Sequence, residues 1–339
     1  MDPLFFRPIL KRIVWGGRRL GDLLGKPLSE HSDYAESWEI ADHRSDQSVV
    51  EAGPLAGRTL GELVRDHNRP LLGRHAGLEA FPLLLKFLDC HRVLSVQVHP
   101  DDHYARQMPT PDLGKTEAWY IVDALPQSRI YAGLKNGVDQ RALWQAIQAG
   151  QTDEVLHSFV PQVGQCVFIP AGTVHALGGG LVVAEIQQSS NTTFRLFDWN
   201  RLGEDGKPRA LHLEEALEVT DYRRGPIQVQ TPVAEREGVE LLVQCDKFVL
   251  RQVRLTHRDA EPPRGANGGQ PQLPEELSVG GDDRMHLLSV VRGGAELLVA
   301  GAAAQPLPLG RSVLIPAAAG PVRLRALRPA STILWAHLP

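Results

Sequence analysis

An eight-residue pattern that occurs twice constrains the fold of this chain more than any other feature. Gly164-Gln165-Cys166-Val167-Phe168-Ile169-Pro170-Ala171 and Gly310-Arg311-Ser312-Val313-Leu314-Ile315-Pro316-Ala317 both keep G-x-x-V-x-I-P-A. Each follows an apolar run that reads as a strand, Trp119–Val122 before the first copy and Leu287–Val291 before the second. Self-similarity of this kind predicts one supersecondary unit used twice, here as two related β-barrel lobes, the second having lost polar residues. Composition agrees. With 32 glycines and 25 prolines in 339 residues, about one position in six favours a turn. That suits many short strands and excludes a helical bundle, a coiled coil or collagen.

A chain of this length buries roughly 75% of its unfolded surface, enough for a core without disulfides. Two domains, or one large two-lobed body, are expected. The net charge of -4 shows none of the basic excess of a nucleic-acid binder, although it allows a local basic pocket. Cys90, Cys166 and Cys245 are odd in number and widely spaced, which predicts reduced, buried thiols and a cytoplasmic protein. Charges at Asp2, Arg7, Lys11 and Arg12 break up the N-terminal apolar run, unlike a signal peptide, and no window is apolar enough for a membrane span.

Along the chain, Thr59-Leu60-Gly61-Glu62 fits a capping box, predicting a helix that ends near Pro70 and Gly73. Residues 81–99 read as two strands interrupted near Asp89, and strand patterning returns over 117–130 and 164–199. Residues 141–150, 152–154 and 211–219 read as helical. The Pro-, Gly-, Asp- and Asn-rich run 258–283 reads as a long loop before a β segment over 285–337.

Four clusters carry chemistry. In Leu94-Ser95-Val96-Gln97-Val98-His99, strand alternation puts Ser95, Gln97 and His99 on one face, the lining of a pocket or simply a wet side. In Gly114-Lys115-Thr116-Glu117, Lys115 and Glu117 share a face, as pocket residues or as a surface ion pair. His175 re-enters the structure after the tight turn of Pro170 and Gly172. Two histidines and a carboxylate on three strands suit Zn or Fe, and the Gln97 amide oxygen is a further donor. Arg195, between Phe194 and Leu196, enters an apolar setting and needs an anionic partner, either Asp198 or a substrate.

The ordered set LSVQVHPDD, GKTEAWY, IPAGTVHAL and EIQQSSNTTFRLFDW, with FPLLLKFLD and AESWEI before it, resembles class I mannose-6-phosphate isomerase in its short bacterial form, over about residues 5–225. The resemblance implies a mainly β fold of two cupin-type jelly-roll lobes with a few short helices. It implies one zinc per chain on Gln97, His99, Glu117 and His175, a catalytic Arg195, and sugar-phosphate contacts from Ser95 and Lys115. The implied reaction interconverts D-mannose 6-phosphate and D-fructose 6-phosphate through a cis-enediol. Lys86 and Glu185 are among the groups open as proton shuttle. Asn191 and Phe194 stand where family members often carry Asp and Tyr, altering the expected active-site rim.

Two rivals remain at this point: a non-haem iron cupin dioxygenase and a non-enzymatic sugar-binding cupin. Oxygen uptake without isomerisation would mark the first, and binding without turnover the second. The expected domains are a catalytic metal-binding lobe with helical additions, residues 1–239, and a jelly-roll lobe without metal, residues 240–339. In the second lobe, Pro321 falls at the offset that His175 occupies in the first. The expected partner is a small sugar phosphate, with no nucleic acid or membrane, and the expected state is a monomer or weak homo-oligomer.

Overall fold

The computed structural model describes residues 1–44, 46–202, 206–257 and 273–339. Its main frame is four antiparallel sheets in two pairs. The first pair sets a six-stranded sheet, in the order Cys166–Ile169, Glu117–Ala124, Leu181–Gln188, Leu83–Cys90, Tyr34–Ile40 and Ile9–Gly17, against a five-stranded one. That second sheet runs Leu156–Phe159, Ile130–Leu134, His175–Leu177, Val96–Val98 and Phe194–Phe197. The second pair repeats the plan. Its six-stranded sheet runs Ser312–Ile315, His286–Arg292, Ser331–His337, Val249–Leu255, Val239–Gln244 and Val233–Arg236. Its partner runs Gln305–Pro308, Gly294–Leu298, Val322–Ala326 and Glu276–Val279, with no counterpart of Phe194–Phe197 among the described residues.

The eight-residue repeat is thus the same edge strand in two barrels. Cys166–Ile169 pairs with Glu117–Ala124, setting Ile169 opposite Glu117, and Ser312–Ile315 pairs with His286–Arg292, setting Ile315 opposite His286. Alternation along Leu83–Cys90 explains why all eight residues are buried. Leu83, Leu85 and Phe87 join an apolar cluster with Leu250, Leu287, Leu334 and Ala336 of the second barrel, while Leu88 and Cys90 belong to the first barrel's interior. The two large sheets therefore pack back to back. Such strands read as continuous apolar runs because both faces are covered.

The predicted capping box is present. Thr59 Oγ1 accepts from the Glu62 N–H at 3.2 Å, and the Glu62 carboxylate accepts from the Thr59 N–H at 2.8 Å. The helix ends earlier than expected, at Asp66, and a second short helix, Asn68–Leu72, follows. Pro70 lies in the first turn of that second helix, where its missing N–H costs nothing. Thr59→Ala should cost ~1 kcal/mol, and an unchanged urea midpoint would remove the role of this cap.

Two further expectations need correction. Residues 276–279 of the expected loop form a strand, because Leu277 and Val279 alternate onto the second barrel's core despite the turn-rich composition around them; residues 258–272 lie outside the described set. Cys90 and Cys166 are buried free thiols, whereas Cys245 is only half-buried at the end of its strand. Among the described residues, no helix is long and apolar enough to cross a membrane.

Candidate metal centre and substrate pocket

Strand pairing brings the predicted residues together. Gln97 lies opposite His175 on one side and opposite Arg195 on the other, while Glu117 begins the facing sheet's strand, opposite Ile169 and Gln187. The turn before His175 is tied to the His99 segment: the Gly172 N–H donates to the His99 carbonyl at 2.8 Å. Gly172 holds φ +83°, a left-handed conformation that a side chain would strain.

His99, Glu117 and His175 are almost fully buried, and one donor atom from each falls within 4.8 Å of the others. His99 Nε2 is 3.6 Å and His175 Nε2 3.4 Å from the Glu117 carboxylate. On their far sides, His99 Nδ1 lies 2.9 Å from the Thr192 carbonyl and His175 Nδ1 2.8 Å from the Thr173 carbonyl. A carbonyl only accepts, so each Nδ1 carries the proton and each Nε2 turns a lone pair inward. Burial, and then the Lys115 charge, hold His99 well below the usual imidazole range; burial takes His175 down to about 4. Both rings are therefore neutral donors. The Gln97 amide completes the set, 3.3 Å from His175 Nε2, with its oxygen 3.4 Å from Ser95 Oγ. Rotating the amide plane presents that oxygen to the cluster without moving the chain.

The base of the pocket is richly charged. Lys115 Nζ contacts the Glu117 carboxylate and lies 3.1 Å from His99 Nε2 and 3.4 Å from Glu185. Lys86 Nζ lies 3.4 Å from Glu36 and 3.5 Å from Glu185. Burial alone would lower the Lys86 ammonium, but Glu185 and Glu36 outweigh it and raise its pKa. Burial, and then Glu117, raise Glu185. Two ammonium groups thus face three carboxylates. That charge balance and the inward lone pairs fit a divalent cation, and the Lys115 ammonium already shows that the donor set attracts positive charge.

Above this base opens a cavity of about 380 Å³ lined by Ser95, Lys115, Lys86, Arg195 and Arg209 among others. Arg195 does not pair as an isolated Arg–Asp couple. Its guanidinium donates to the Ala210 carbonyl at 2.8 Å, its buried Nε has no hydrogen-bond partner, and burial lowers its pKa. Asp198 is instead gripped by Arg201 and Arg209. Arg209 and Glu36 are the pocket residues that sequence reasoning missed. Arg209 follows a polar, turn-rich run after Trp199, and Glu36 reaches the pocket from a strand three places from that of Glu117 in the sheet. Asn191 does line the cavity, but Phe194 does not reach the rim. Alternation sends Arg195 inward and Phe194 to the opposite face, into the cluster with Val98 and Leu196.

The fold places the chain among cupin-type β proteins, and charged groups buried inside a small cavity mark an enzyme site. The family model for the phosphomannose isomerase type I catalytic domain matches residues 4–121. Mannose-6-phosphate isomerase ManA of Bacillus subtilis is 35% identical over 328 residues, spanning 95% of this chain and 96% of that protein. Mannose-6-phosphate isomerase of Streptococcus mutans is 38% identical over 218 residues, spanning 64% of this chain and 67% of that protein. The crystal structure of the mannose 6-phosphate isomerase from Bacillus subtilis superposes with a TM-score of 0.86 at 29% identity, covering 100% of both chains. The chain belongs to the type I phosphomannose isomerase family and is an enzyme of that isomerase class.

Proposed function

We propose that the chain interconverts D-mannose 6-phosphate and D-fructose 6-phosphate, using one zinc ion held by Gln97, His99, Glu117 and His175. The observation that carries this reading is the cluster of His99, Glu117 and His175, of which Glu117 and His175 open onto a cavity of about 380 Å³ lined by cationic side chains. Two nitrogens, a carboxylate oxygen and an amide oxygen make a four-donor site that suits zinc. When bound there, zinc would supply Lewis acidity toward the sugar's carbonyl and hydroxyl oxygens.

The protein's own groups account for the rest. Moving a proton between C2 and C1 of an open-chain sugar passes through a cis-enediol and puts negative charge on an oxygen. Arg195, poorly solvated and with an unpartnered Nε, offers positive charge where that oxygen forms. Ser95 and Lys115 contact the phosphorylated sugar, and Arg209 adds a cation held in place by Asp198. Glu185 and Lys86, buried beside one another, are the groups able to hold the transferred proton. The first barrel, about residues 1–239, contains all of these groups. We read residues 240–339 as a second lobe, with Val233–Arg236 travelling with it through pairing to Val239–Gln244. The cytoplasm, with its reduced thiols and phosphorylated sugars, is the compartment this reading favours.

A coupled assay converting mannose 6-phosphate to fructose 6-phosphate tests the proposal directly. Activity should vanish with a chelator and return with zinc. Absence of turnover in the metal-loaded protein, or full turnover after exhaustive chelation, would sink it. Lys115→Ala should raise KM roughly 10-fold or more, the scale of a lost hydrogen bond to a charged group, and unphosphorylated mannose should be a very poor substrate. Equal rates on mannose and mannose 6-phosphate would remove the anion pocket.

A further inference from the structure

The strand-for-strand match of the two barrels locates the counterpart of the candidate active site. Glu117 and His286 both lie opposite the isoleucine of the repeat. Glu185 pairs with Trp119, two residues beyond Glu117, and Trp335 pairs with Leu288, two beyond His286, so Glu185 corresponds to Trp335. Lys86 pairs with Glu185 and Arg251 pairs with Trp335, so Lys86 corresponds to Arg251. Lys115 lies two residues before Glu117, as Arg284 lies two before His286.

The donor set has changed in a specific way. Continuing the Val279–Val322 register places Gly280 where the first barrel has Gln97 and Pro321 where it has His175. By the same offset Asp282 takes the place of His99. The His–carboxylate contact survives with its members exchanged, His286 Nε2 lying 2.8 Å from Asp282. Two donors are lost, which removes a metal cage. The two cations are kept as arginines, and the cavity is kept too, at about 380 Å³.

We propose that the mouth of the second barrel binds a phosphorylated sugar as a non-catalytic ligand, through Arg236, Arg251 and Arg284 around the indole of Trp335. In the cavity wall, which Pro339 also lines, Glu235 holds Arg251 and Asp282 holds Arg284, and Arg236 brings one positive side chain more than these two carboxylate side chains. Burial keeps His286 and His337 neutral, leaving that balance intact. Arginine presents paired N–H donors that match phosphate oxygens. The carbon of the Arg251 guanidinium sits 5.1 Å, and that of Arg236 5.8 Å, from the Trp335 ring centroid. With both guanidinium groups over its ring, the Trp335 indole fixes the orientation of their N–H donors at the mouth where the sugar phosphate would sit. Among the described residues, the strand that carries Arg195 has no counterpart in the second barrel's four-stranded sheet, so the site binds without the charge that Arg195 would supply for turnover.

The expected count of two rests on the first barrel binding a sugar phosphate as proposed; were it not to, the parent would bind one and Arg284→Ala none, so the two readings fail separately. Equilibrium dialysis of the full chain against fructose 6-phosphate should give two bound sugar phosphates per chain. Arg284→Ala should bind one, with kcat and KM for isomerisation within about twofold of the parent. Arg236→Ala alters an exposed strand and so keeps the test available if Arg284→Ala does not fold; it should weaken the second site at least fivefold. One sugar phosphate on the parent with one still on Arg284→Ala, or two retained in both variants, overturns the proposal. Equal affinity of the second site for inorganic phosphate and fructose 6-phosphate overturns the sugar part of it.

Discussion

Replacing Glu117 by Gln should leave the purified chain folded but largely without metal. The substitution keeps the shape of the side chain and removes the only anionic member of the donor set. It also leaves Lys115 facing a neutral amide where it now meets a carboxylate. Changing a residue that merely orients a ligand costs 10–100-fold in metal affinity, so losing this ligand should cost at least roughly 100-fold. Isomerase activity should fall with metal content and recover only in part at high zinc. Atomic absorption on dialysed protein reads the first effect and the coupled assay the second. Parent-like metal content and rate in Glu117→Gln would show that the donor cluster is a buried polar network and nothing more.

Arg195→Ala should act on the rate and spare the metal. The side chain enters the cavity opposite Gln97, but its guanidinium donates to the Ala210 carbonyl, away from the donor atoms. Losing one charge contact made in the transition state costs on the order of 10²-fold in kcat. KM should change much less, because the developing oxyanion is absent from the bound substrate. Arg195→Lys tests the geometry, since an ammonium cannot reproduce the guanidinium fork. An unchanged kcat in Arg195→Ala would return Arg195 to a structural role, and loss of metal would mean that the barrel floor had shifted. The contrast with Lys115→Ala, whose main effect should fall on KM, separates the two cations.

Local chemistry made much of this protein readable in one dimension. Thr59 and Glu62 are three residues apart, so their capping box could be read before any contact was known. Alternation along 94–99 put Ser95, Gln97 and His99 on one face, and Ser95 and Gln97 do line the cavity together. The repeated G-x-x-V-x-I-P-A predicted two related lobes because a strand and its following turn impose the same backbone demands wherever they occur. The strand at 276–279 escaped notice because only two of its side chains are apolar and its neighbours are turn formers. Its place is fixed by pairing with Val322–Ala326, some 45 residues later, which no local pattern records.

What the sequence determined by itself was therefore the set of strands, the repeat and the kinds of residue available for chemistry, since these follow from backbone preference and side-chain periodicity. Only the tertiary structure decided which of those residues meet. Registers across distant strands bring Glu36, Lys86 and Glu185 into a buried charge cluster beside the candidate metal donors, while the loop after Phe194–Phe197 gives Asp198 to Arg209 and Arg201, and Arg195 faces the cavity. The physical reason lies in the range of the forces involved. A helix cap or a strand's two faces are set within a few residues, whereas desolvation and Coulomb interaction act through space, and depend on which distant strands the fold places side by side.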